Sequence, residues 1–512
     1  MHDYQMLING ARVDGENGHF DVLNPATGTV FARCAAGSLA QLDLAVEAAQ
    51  SAFVEWRHST HEDRRQRLLS IATDLEQEAE ALARLIVLEQ GKPLELAFSE
   101  VMGAVAWTRY AAEQQIPVEL VEETPTQRIE LHRKPLGVVA SITPWNWPFM
   151  IAVWHIMPAL RAGNCVISKP SSLTPLSTLR LVEVIARHVP RGVINSVTGE
   201  QGFGSAITSH AGIQKIVFTG STATGQSVMR GAAGNLKRLT LELGGNDAAI
   251  VLPGTSVAAV AEDIFQAAFL NMGQTCAALK RLYIHQSQYE AFAEALTLIA
   301  KRQVVGDGLA PGVTFGPVQN LEQLALVEEL VADARAQGAR VLCGGARLDR
   351  PGFFYPPTLV ADVTDGQRLV DEEQFGPVLP LIAYQDVEDV LRRANAGDMG
   401  LGGSVWGRDS EQAQALASRL ECGMAWVTAM RRSSRIRRLA AARCPGSASS
   451  SALKGCWSSP ASNCCTYASV KQSEECNHVR AIQDSTKKIL APDEFFGAGE
   501  PVQDVDHRPW RR

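Results

Sequence analysis

The tetrapeptide GQTC at 273–276 ends on Cys276, the residue best equipped in this chain to attack a carbonyl carbon. A lone cysteine is most often a small buried hydrophobe. Here Gly273 and the polar Gln274 predict a turn that exposes the thiol and leaves a backbone N–H free beside it. Thiolate chemistry then needs partners. One is Glu242 in LELGGND, where Gly244 and Gly245 leave the backbone bare for a substrate or cofactor to approach. A glutamate after an apolar strand is commonly just a salt-bridge partner, but in a crevice it can serve as a general base toward water. Another is Asn146 in TPWNWPFM, either part of a stiff aromatic turn or a preorganised hydrogen-bond donor of the oxyanion-hole kind. FTGSTATG at 218–225 sets Gly220, Ser221 and Gly225 in a glycine-rich strand-to-helix turn. Its G-x-x-x-x-G spacing is neither G-x-G-x-x-G nor a P-loop, so it reads as a helix N-terminus able to hold phosphate, or merely a turn. A fifth string, EEQFGPVLPL, carries Glu373 and Phe375.

These residues need strands and helices to hold them. Apolar residues at near-helical spacing predict a helix over 64–86, behind a hairpin-like opening. The segment 128–142 reads as alternating strand with a turn at 134–137. Strands are predicted at 165–170, 193–197 and 215–220, with helices at 176–188 and 223–234 between and after them. A second set of strands is predicted at 248–252, 281–285, 339–344, 378–384 and 402–406. Strands alternating with helices imply two α/β domains with parallel, doubly wound sheets.

A chain of 512 residues exceeds one ordinary core. No apolar run is long enough for a membrane span, and the opening lacks the basic end and apolar block of a signal peptide, so a cytoplasmic enzyme is expected. The net charge of −7 disfavours nucleic acid as main partner. Of 10 cysteines, Cys34, Cys165, Cys276, Cys343 and Cys422 are thinly spread without metal-ligand spacing, as in a reduced compartment.

Taken together and in order, PWNWP, KPS, FTGS, LELGG, GQTC and EEQFGPV resemble the signature set of the aldehyde dehydrogenase superfamily, over residues 1 to about 427. The resemblance implies an NAD- or NADP-dependent oxidoreductase acting on a small-molecule aldehyde. Cys276 would be the nucleophile, with the Asn146 side chain and the Cys276 N–H holding the oxyanion. Hydride transfer to nicotinamide would leave a thioester that Glu242-activated water hydrolyses. Glu373 would bind the nicotinamide ribose, Lys169 the adenosine ribose, and Gly220, Ser221 and Gly225 would lie near the pyrophosphate. Trp145 and Phe375 are further cofactor contacts by the same likeness. Ser172 stands where NAD-preferring relatives often carry a glutamate, so acceptance of NADP is expected. The implied fold is a Rossmann-type cofactor domain (1–119 and 141–243), an α/β catalytic domain (244–427), and a small β-flap for oligomerisation (120–140). Homodimers or homotetramers are the family habit. A CoA-acylating relative would usually lack a carboxylate at the Glu242 position, and a non-catalytic binding relative would be expected to lose Cys276 or Glu242.

The segment 428–512 departs from the pattern. No Asp or Glu occurs from Cys422 to Ser473, although the chain holds 55 acids, and arginines crowd into MRRSSRIRR. Such a composition does not predict a packed fold. Loss of one nucleotide near codon 428 accounts for it. Each original codon is then one present wobble base plus the first two bases of the next codon. With suitable wobble bases, 452–459 (ALKGCWSS) yields GIEGLLEF and 463–469 (NCCTYAS) yields ELLHIRQ, both family-like. On this reading the product is an impaired, frameshifted family member. A genuine basic tail for an acidic partner is the rival.

Overall fold

The computed structural model describes residues 2–199 and 202–429. Two seven-stranded sheets organise them. The first runs in the order Arg238–Glu242, Lys215–Thr219, Val138–Ile142, Cys165–Lys169, Ile194–Ser196, Met6–Ile8, Ala11–Val13. Its first five strands are parallel. The last two form an antiparallel hairpin that turns at Asn9 and Gly10, with φ of 51° and 74°. Two consecutive positive φ values are what a type I′ turn requires.

The second sheet runs Arg340–Cys343, Thr358–Ala361, Val378–Tyr384, Leu279–His285, Asp247–Val251, Gly402–Gly407, Met424–Ala429. All its pairings are parallel except that of Arg340–Cys343. Parallel strands covered on both faces lose the in–out alternation and read as continuous apolar runs. Val138–Ile142, Lys215–Thr219 and Asp247–Val251 are accordingly buried along their whole length. Along Asp247–Val251, Ala248 and Ile250 enter one core cluster while Ala249 and Val251 enter another, one on each face of the sheet. The result is a mixed α/β fold, and the strands and helices expected from the alternating pattern are present.

Two segments differ from the sequence reading. The stretch 64–86 is two helices, His61–Gln77 and Ala79–Gln90, separated at Glu78. Leu68, Ile71 and Leu75 before the break and Leu82 and Ile86 after it are all buried. The apolar spacing runs through the interruption and conceals it. Glu78 is held there by Arg180 and Arg187, each at 2.7 Å. The alternating segment also divides. Glu119–Glu123 and Arg128–Leu131 form an exposed antiparallel ribbon, whereas Val138–Ile142 lies inside the first sheet. Gly137, at φ +132° with Gln214 where a Cβ would stand, marks the change. Residues 138–140 therefore do not belong to the ribbon. No helix among the described residues is long and apolar enough to cross a membrane. The shifted-frame expectation falls outside the described residues, except for the backbone of Thr428 and Ala429, which ends the last strand.

Candidate active site

The first sheet delivers its candidates from the carboxyl ends of its parallel strands, where ligands of open α/β sheets bind. Glu242 ends one strand in register with Thr219, and Ile142 is in register with Lys169. Asn146, Lys169, Gly220 and Glu242 thus sit at one edge. The second sheet faces them with the turns that enter its strands: Gly244 and Gly245 before Asp247–Val251, Cys276 before Leu279–His285, and Glu373 and Phe375 before Val378–Tyr384.

The turn bearing the thiol is strained. Asn271, Met272 and Gly273 all lie in the left-handed region, at φ 53°, 56° and 72°. For the two residues with side chains this costs roughly 1–2 kcal/mol each. Gly273 is required twice over, because the Gly376 carbonyl occupies the place of its missing Cβ. Hydrogen bonds hold the turn: Asn271 Nδ2 donates to the Asn146 carbonyl at 2.9 Å, and Gln319 N–H donates to Gln274 Oε1 at 2.9 Å. Asn146 Nδ2 donates to the Gln274 carbonyl at 2.9 Å, and Trp147 Nε1 to Thr275 Oγ1 at 3.0 Å. The PWNWP and GQTC strings therefore meet directly.

Beneath Asn146 lies a fully buried ion pair, Lys92–Glu100, at 2.5 Å. Lys92 Nζ donates to the Asn146 carbonyl at 3.0 Å and stands 3.7 Å from the Trp147 ring centroid. Glu100 Oε1 accepts the N–H groups of Phe149 and Met150, each at 3.1 Å, at the start of the helix Pro148–Arg161. Sequence reading missed both residues, since Glu100 sits among apolar positions of the helix Leu94–Glu113 and reads as part of a solvated face, and Lys92 reads as a loop charge between two helices.

Cys276 is half-buried. Burial pushes its thiol up to about 12; Asp247, Glu373 and Glu242 push the same way, and Lys280 opposes them. Burial also raises Glu373, against Lys280 and the Gly245 N–H, which donates to Glu373 Oε1 at 3.2 Å. The paired glycines do not simply leave open space. Glu373 Oε2 takes the place of a Cβ on Gly244, and the Cys276 carbonyl would lie 2.8 Å from one on Gly245. They let two functional turns close together.

The other candidates are placed as follows. Trp145 and Phe375 meet edge-on, centroids 5.3 Å apart. Phe375 holds φ at 44°. Lys169 is half-buried, and burial lowers its amine to about 8. Ser172 is half-buried three residues on. Ser221 is exposed and caps the helix Thr222–Ala232, accepting Thr224 N–H at 3.3 Å. Gly220 N–H is taken by the Glu242 carbonyl at 3.0 Å. Gly225 is buried against Leu243, which a Cβ would strike, so helix packing accounts for that glycine.

A thiol turn and an amide converging between two mostly parallel sheets define the class: an α/β protein with a cysteine at the centre of its site. The aldehyde dehydrogenase family model matches residues 13–436, and the chain belongs to that family. The chain is 40% identical to a Pseudomonas protein named "Probable aldehyde dehydrogenase", over 81% of this chain and 86% of that one. It is 37% identical to the NADP-dependent succinate-semialdehyde dehydrogenase of Escherichia coli, over 83% and 89%. The NAD complex of a Bacillus cereus aldehyde dehydrogenase superposes with a TM-score of 0.81 at 33% identity, covering 85% of this chain and 90% of that one.

Proposed function

We propose that this chain oxidises an aldehyde to the acid through a covalent adduct on Cys276, with Asn146 and the Cys276 backbone N–H holding the oxyanion and Glu242 activating water. The convergence of Asn146 on the turn two residues before the thiol carries the reading. The Cys276 thiol gives its proton to solvent water, the sulfur bonds to the carbonyl carbon, and the π electrons move to oxygen. An amide has two N–H donors; one Asn146 donor holds the Gln274 carbonyl, and the other is assigned to that oxygen. When bound, the nicotinamide supplies the hydride acceptor that turns the adduct into a thioester. Glu242 takes a proton from water as its oxygen attacks the thioester carbon, and sulfur leaves as thiolate. A carboxylate at Glu242 favours hydrolysis over transfer to CoA.

The donor set fits a dinucleotide. Lys169 and Ser172 are assigned to the adenosine ribose, and Gly220, Ser221 and Gly225 to the neighbourhood of the pyrophosphate. The Thr222–Ala232 helix offers the positive end of its dipole there. Trp145 and Phe375 would flank the nicotinamide, and Glu373 would accept from its ribose hydroxyls. Segments 1–119 and 141–243 are read as the cofactor half and 244–427 as the catalytic half. Val118, Leu120 and Val121, 50–64% exposed on and before the ribbon, support its role as an oligomer contact with a second copy of the chain. The unpaired cysteines Cys34, Cys165, Cys276, Cys343 and Cys422 support a reducing, cytoplasmic setting.

Cys276→Ala decides the central point. It is expected to abolish aldehyde oxidation while leaving the cofactor dissociation constant almost unchanged, and wild-type turnover in that variant would remove the proposal. A second reading concerns 428–512. The absence of Asp and Glu from 422 to 473 and the arginines of MRRSSRIRR favour a shifted frame, and with it an impaired enzyme.

A further inference from the structure

Lys280 lies four residues after Cys276 in the strand Leu279–His285, with a side chain only 2% exposed. A buried ammonium must find acceptors. Lys280 Nζ donates to the Thr275 carbonyl at 2.7 Å and stands 3.5 Å from Glu373 Oε1. It also lies 4.9 Å from the Phe375 ring centroid. None of these contacts belongs to the adduct or water steps. Together they join the residue just before the nucleophile to the carboxylate and the aromatic ring assigned to the cofactor.

The charges facing Cys276 come from four elements. Glu242 ends one strand of the first sheet and Asp247 begins a strand of the second; Glu373 sits in the turn before Val378–Tyr384, and Lys280 in Leu279–His285. Three carboxylates thus act on the thiol against one ammonium. Asp247 is deeply buried, with Oδ1 accepting the Gly402 N–H at 3.0 Å.

We propose that Lys280 is the positioning residue that locks the two halves of the site together: its ammonium pins the Thr275 carbonyl, one residue before Cys276, and the Glu373 carboxylate. This rests on the reading of Cys276 as nucleophile and Glu373 as cofactor ligand. Methionine at 280 would fill a similar volume but leave the carbonyl without its donor and Glu373 without its counter-charge.

The test uses the full chain and iodoacetamide, with alkylation read by mass spectrometry on the Cys276 peptide from about pH 6 to about pH 10, because the thiolate is the species that reacts. Lys280→Met is expected to move the profile to higher pH by about one unit, on the order of tenfold slower alkylation at fixed pH. The NAD(P) dissociation constant should rise in the same variant. Glu373→Gln is expected to move the profile the other way, since Lys280 then acts on the thiol with one opposing charge fewer. A purely structural role for Lys280 would leave the Lys280→Met profile in place. A wild-type profile in folded Lys280→Met overturns the proposal. Should Lys280→Met not fold, an unmoved profile in Glu373→Gln overturns it. Failure of the underlying reading shows separately, as turnover surviving Cys276→Ala.

Discussion

Asn146 Nδ2 lies 2.9 Å from the carbonyl oxygen of Gln274, so the amide assigned to the oxyanion is anchored to the turn that carries the nucleophile. Asn146→Ala removes the anchor and the oxyanion donor together. Loss of one such donor costs about 10²–10³ in kcat. We expect a fall of that order in steady-state reduction of the cofactor, with KM for the aldehyde changed far less. A kcat within twofold of wild type would detach Asn146 from the chemistry.

Glu242→Gln separates the two halves of the reaction. The thioester should still form but drain slowly, so mixing enzyme with excess aldehyde and cofactor should give one burst of reduced cofactor per active site and then a slow phase. Rapid mixing with absorbance detection reads this directly. A linear trace at wild-type rate would show that Glu242 is not the base.

The Lys92–Glu100 pair invites a double-mutant cycle. Breaking a buried pair from one side strands a charge and costs about 3–5 kcal/mol, whereas removing both partners costs much less than the sum. Lys92→Met and Glu100→Gln should each lower the thermal midpoint, and the double variant should recover part of the loss. Activity should follow the same order, because Lys92 holds the Asn146 carbonyl. Additive losses would mean that the two side chains act independently.

How legible this was in the sequence depends on where each signal resides. Glycine-rich and aromatic strings mark turns, and continuous apolar runs such as AAIVL at 248–252 mark buried parallel strands, so most strands and turns could be read, Val138–Ile142 excepted. The contacts between turns could not. Lys280 precedes an arginine and looks like surface charge, yet it is buried because two acceptors converge on it from Thr275 and Glu373. The packing of Gly225 against Leu243, which requires a glycine whatever ligand lies nearby, could not be read either. Gly244 looked open to a ligand, and the Glu373 carboxylate stands there instead. Partners that only the fold brings together, such as Gly244 and Glu373, leave no local pattern, and periodicity is blind to a break such as Glu78 that keeps the apolar face in phase.

Cofactor choice is proposed to turn on Ser172. A carboxylate there would repel a 2′-phosphate, whereas a hydroxyl can donate a hydrogen bond to it. The chain should therefore bind NADP, alone or beside NAD, and Ser172→Glu should weaken NADP much more than NAD. Dissociation constants from cofactor fluorescence check both statements. Wild-type binding of NADP hundreds of times weaker than that of NAD would overturn the assignment.

The last prediction concerns 428–512 and is settled on DNA. If one nucleotide is missing near codon 428, the first base of each present codon is the middle base of an original one. Cys, Trp and Tyr codons all begin with T, and a T in the middle position encodes apolar residues. Cys456, Trp457, Cys464, Cys465 and Tyr467 must therefore each restore an apolar residue, whatever the wobble bases are. Restoring the base should also turn MRRSSRIRR into a sequence such as HAAIQPDSP, and bring a stop codon near Cys476 and Asn477. Resequencing the coding region is the direct measurement. An intact frame whose alternative reading holds no family-like sequence would sink the idea and leave a basic tail to be explained by an acidic partner. If the base is missing, the repaired gene should yield a protein with higher specific activity than the present chain, and with a defined dimer or tetramer by sedimentation. The present chain should sediment heterogeneously, because the final strand expected to complete the exposed ribbon is not encoded in this frame.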